Sequence, residues 1–134
     1  MNEADPVRRF LAERGCPDEV VEAGLEGLVS EWERTVRQVA AGYPLGLDDY
    51  LNDLDGRQLI DEALALAPWA ADESLMHQLQ AADQRMKTLV VSAPECLWGE
   101  AVAEAEGWTA DHEWWYFSVP RAPGPLLRED LEAF

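Results

Sequence analysis

The two histidines are the side chains best suited to metal or acid-base chemistry in a chain with 27 acidic residues, and each has carboxylates close by. Glu73 and His77 stand four residues apart, which puts both on one face of a helix. Asp111, His112 and Glu113 are consecutive, so the second histidine sits among acids. Converging in space, His77, His112, Glu73, Asp111 and Glu113 would hold a divalent cation for a small metal-dependent enzyme or ligand binder. The spacing argues against a recognised centre, since neither a His-Glu-x-x-His helix nor the Glu-x-x-His pair of di-iron bundles is present. Acids this numerous fall near any histidine by chance, and Glu73 with His77 reads more simply as a helix-surface pair. No cofactor is expected.

Asp53-Leu54-Asp55-Gly56 followed by Glu62 overlays part of a calcium loop, but the first ligand position would be Leu51 and the apolar eighth position Gln58. A helix boundary explains these residues better: Asp55 with Gln58 resembles a capping box, and Gly56 separates two helices. Cys16 and Cys96 each fall near an expected helix start, where a thiolate is favoured, yet surrounding carboxylates oppose ionisation. They form no Cys-x-x-Cys, and reduced thiols are the plainer reading. Neither a Gly-rich phosphate loop nor a Gly-x-Ser-x-Gly elbow is present, so a non-enzymatic role fits better.

The aromatic residues offer a different chemistry. Trp108, Trp114, Trp115, Tyr116 and Phe117 crowd together, with Glu104, Glu106, Asp111 and Glu113 around them. In an extended segment successive side chains alternate between faces, so one core cannot take all of 114–117. Trp108, Trp114, Trp115 and Tyr116 are therefore expected to form a partner-binding surface, and the acids would select a basic protein. The competing possibility is a lid packed on both sides.

Net charge narrows the partners further. At -17 with a single lysine, Lys87, and scattered arginines, the chain repels DNA, RNA and anionic lipid headgroups. A hydrophobic fraction of 48% argues for a folded core, and the length suits one domain spanning 1–134. Met1-Asn2-Glu3-Ala4-Asp5 is acidic where a secretory signal is basic, and no apolar run approaches the ~20 residues of a membrane span. A cytoplasmic protein is expected.

The elements that position these groups are mostly helical. Asp5-Pro6 caps a short helix that closes before Gly15. Val21, Leu25, Leu28, Trp32, Val36 and Val39 step by 4, 3, 4, 4 and 3, one face of a longer helix. Leu47, Tyr50, Leu51 and Leu54 begin another, and Leu59 to Ala67 a further one ending at Pro68. Leu75, Leu79, Ala82, Met86 and Leu89 form a stripe that serves either the core or a homodimer seam. Ser92 and Glu95 resemble a capping box ahead of Leu97, Trp98 and Ala101, while Leu127, Leu131 and Phe134 suggest a last short helix.

The expected fold is mainly α, a single-domain multi-helix bundle with an aromatic extended segment at 114–119. The alternative is α+β, in which 88–91 pairs with that segment in a small two-stranded sheet. The functional expectation is a binding or regulatory module that recognises a basic partner surface. Metal-dependent chemistry at the histidines, or charge serving solubility alone, are the two competing readings.

Overall fold

A computed structural model describes residues 5–133. The chain runs α1 (Pro6–Glu13), α2 (Asp18–Ala41), α3 (Leu47–Leu66), a 3-10 turn (Pro68–Ala70), α4 (Glu73–Leu89), β1 (Val90–Ser92), α5 (Glu100–Glu106), a second 3-10 turn (Trp114–Phe117), β2 (Ser118–Pro120) and α6 (Pro125–Ala133). The fold is mainly α with a minor sheet, in which β1 and β2 pair antiparallel with Val90 opposite Pro120 and Ser92 opposite Ser118. This is the small sheet of the α+β alternative, shifted along the chain: Thr88 and Leu89 close α4, and the strand is Val90–Ser92. The readings of Met1–Ala4 and Phe134 fall outside the described residues.

Local chemistry explains most boundaries. The Asp5 carboxylate accepts the amides of Val7 and Arg8, and Pro6 follows it at the first helical position. In α2 the stripe Leu25, Leu28, Trp32, Val36 and Val39 is buried as its spacing requires. This helix is kinked at Gly24, whose φ of 64° and ψ of -154° only glycine adopts readily. Beside the kink, Arg8 donates Nε and Nη2 to the Glu22 carbonyl while its Nη1 reaches Asp5.

α3 departs from expectation. It runs unbroken through Asp55 and Gly56, because the Asp55 carboxylate is engaged by Tyr116 and Trp98 instead of capping a helix. Its first turn is capped from a distance: Asp130 on α6 accepts the Leu47 amide at 2.8 Å, and a Cβ on Gly46 would stand 2.7 Å from the same carboxylate. Replacing Asp130 by Ala removes this cap, and urea unfolding is expected to show a loss of about 1 kcal/mol.

α4 starts at the Asp72 cap, which accepts the Leu75 amide, and buries Leu75, Leu79, Ala82 and Met86 against the core. The stripe considered as a dimer seam is therefore covered within the chain. The helix expected from Ser92 and Glu95 begins only at Glu100, since the Leu97 amide donates to the Tyr116 carbonyl at 2.8 Å and Gly99 turns the backbone with φ 100°.

The segment expected to be extended from Trp114 is instead a tight 3-10 turn as far as Phe117, and only Ser118–Pro120 is strand. The Tyr116 amide donates to the Glu113 carbonyl, and Ser118 Oγ donates to that of Trp114. A 3-10 turn spreads successive side chains about 120° apart instead of alternating them. Trp115 and Tyr116 can therefore both enter the core, at 1% exposure each, while Trp114 and Phe117 are half-buried.

Candidate functional site

The aromatic cluster is internal. Trp115 packs against Trp114 and over the Arg57 guanidinium, whose Cζ lies 4.3 Å from the indole centroid. Arg57 is itself buried and grips Asp83 with two bonds, Nε to Oδ1 at 3.0 Å and Nη2 to Oδ2 at 2.8 Å. Trp32 donates its indole N–H to the same Oδ1 at 2.9 Å, so one carboxylate ties α2, α3 and α4 together. Arg57 Nη1 and Trp115 Nε1 are buried without a hydrogen-bond partner.

A second buried network involves Tyr116, which stacks on Trp108 at 4.2 Å and donates its hydroxyl to Asp55 at 2.5 Å. Trp98 donates to the same oxygen at 3.1 Å. These contacts correct the expectation that Trp115 and Tyr116 face a partner, and leave Trp108 and Trp114 only partly accessible. The same packing opposes a catalytic thiol: Cys96 is buried at 0% exposure, and desolvation raises its pKa.

Two tryptophans outside that cluster are exposed, Trp98 at 41% and, more so, Trp69. Trp69 is 73% exposed in the 3-10 turn between α3 and α4, with Leu66 at 53% exposure three residues before it. A tryptophan placed between two helices has no helical face through which to be buried, and Pro68 before it enforces the break. Three residues after Trp69, no more than about 11 Å of chain, an open groove between α2 and α4 begins. Glu33, Asp72, Glu73, Ser74, His77, Gln78 and Ala81 line this shallow, solvent-open surface. It continues past Glu33 and Ala81 to Arg37 and Arg85. The depression thus carries Asp72 and Glu73 at the start of α4 and Arg37 and Arg85 further along.

The histidines separate. His77 lies exposed in this groove with Glu73, whereas His112 sits on the loop before the second 3-10 turn. His112 Nε2 stands 3.2 Å from Asp61 on α3 and 3.8 Å from Glu113, and donor atoms of these three residues lie within 4.8 Å of one another. Asp111, Glu73 and His77 are not in that group among the described residues. The sequence offered no signal for Asp61, which reaches the site only because α3 runs uninterrupted past Gly56.

No family model, curated protein or solved structure matches the chain. Function must therefore be argued from the surface itself. No described helix is long and apolar enough to cross a membrane.

Proposed function

We propose that the protein is a binding module for a basic segment of a partner protein, seated along the α2–α4 groove with Trp69 as its aromatic anchor. The observation that carries this reading is the exposure of Trp69, three residues ahead of Asp72 and Glu73 in the α2–α4 groove, on a chain of charge -17. An indole left in water costs free energy that a partner's contact recovers, and tryptophan is among the residues enriched at interface hot spots. Lysine and arginine side chains also attract to its face. Arg37 and Arg85 at the far end disfavour a uniformly basic occupant, so the bound segment carries its positive charges at one terminus. The acids steer the partner and set its direction.

The probe is a pair of labelled amphipathic peptides of identical composition, one with its arginines at the amino end and one reversed. Anisotropy is expected to favour one orientation, to fall steeply from 50 to 500 mM NaCl, and to lose at least tenfold in affinity with Trp69→Ala. Trp69→Ala should leave the melting temperature almost unchanged, since the ring is not in the core. Equal binding of both peptides by wild type and Trp69→Ala would overturn the assignment and leave the charge to solubility.

A further inference from the structure

We infer that Asp61, His112 and Glu113 form a site for one divalent transition ion, zinc(II) being the best fit, which clamps the Thr109–Glu113 loop onto α3. The geometry is close to what such an ion requires. Ligand bonds near 2.1 Å place neighbouring donors about 3.0–3.4 Å apart in octahedral or tetrahedral coordination. His112 Nε2 is 3.2 Å from Asp61 Oδ2, and its 3.8 Å approach to Glu113 Oε2 closes with a small side-chain rotation. One nitrogen and two carboxylate oxygens are a donor set that borderline ions take, with solvent completing the sphere at the exposed imidazole.

A second feature points the same way. The Glu113 side chain is only 11% exposed, and its Oε1 is fixed by the Thr109 amide at 2.9 Å. That bond orients the carboxylate from outside the ligand shell, leaving Oε2 toward His112 at a distance too long for a hydrogen bond. The His112 amide is likewise held, by Thr109 Oγ1 at 3.2 Å. Two carboxylates converging on one imidazole make an electronegative donor set that a divalent cation complements. Ligands from α3 and from the loop would fasten the base of the turn that carries Trp115 and Tyr116.

The test is isothermal titration of the chelator-treated full chain with zinc chloride at pH 7.5, with magnesium and calcium as contrasts. One zinc per chain and a raised melting temperature are expected, with much weaker magnesium and calcium binding. His112→Ala and Asp61→Asn should each weaken zinc at least tenfold while remaining folded by circular dichroism. His77→Ala and Asp111→Asn should bind as wild type. Absence of a stoichiometric zinc site overturns the inference and leaves an ion pair between His112 and the acids. Unaltered binding by His112→Ala overturns it equally, by moving the metal elsewhere.

Discussion

Asp83→Ala is expected to cost about 3–5 kcal/mol of unfolding free energy, the range for removing one member of a buried ion pair. The side chains of Arg57 and Asp83 are 9% and 16% exposed, and the pair is bidentate. Without the carboxylate, a guanidinium remains enclosed beneath Trp115 with no counter-charge, and the Trp32 N–H loses its acceptor. Against a total stability of about 5–15 kcal/mol, that loss threatens folding at ordinary temperature. Arg57→Met with Asp83→Leu should lose less than the two single changes summed, because the stranded charge is gone while the Trp32 N–H is still orphaned. Urea unfolding of the four proteins reads the cycle. Strict additivity would show that the pair contributes no coupling.

The second large effect is alkaline. All three tyrosines, Tyr43, Tyr50 and Tyr116, are at most 1% exposed. Burial is the leading cause raising each phenol above its usual value, with hydrogen bonds to Asp53 and Asp55 adding to it for Tyr43 and Tyr116. Unfolded tyrosine ionises near pH 10, so above that pH the native state holds protons that the unfolded chain releases, and stability falls. Each such phenol removes about 1.4 kcal/mol per pH unit, or about 4 kcal/mol for three at pH 11. Cys96 acts in the same direction from lower pH, since burial raises its thiol as well. Absorbance at 295 nm should therefore rise together with the loss of helical circular dichroism. Phenolate appearing near pH 10 in a fully helical protein would refute the account.

The sequence disclosed what depends on local pattern and hid what depends on tertiary partners. The stripes from Leu25 to Val39 and from Leu75 to Met86 are buried because period alone decides which face a helix turns inward. Asp5 caps as its position suggested. Asp55 did not, because two rings from more than forty residues later compete for its oxygens. Trp114 to Phe117 looked extended by composition, yet β propensity lost to packing that needed two neighbouring rings on one side. Trp115 and Tyr116 roof the core from within a dense run of aromatics, whereas Trp69, a solitary ring between helices, stays exposed. Of the Asp61, His112 and Glu113 cluster, the last two were visible as neighbours, while Asp61 required knowing that α3 runs on past Gly56.

The pairing of Ser92 with Ser118 makes residues 93–117 leave and re-enter the body at one neck. A closure of this size is entropically cheap, growing only with the logarithm of length. What the excursion delivers is Trp115, the ring that covers an Arg57–Asp83 bond made entirely by earlier helices. During synthesis α3 and α4 therefore emerge before the ring that covers that bond, and drying it waits for the 93–117 excursion. Dehydration of the most deeply set charge pair among the described residues thus depends on chain that follows the helices which form it.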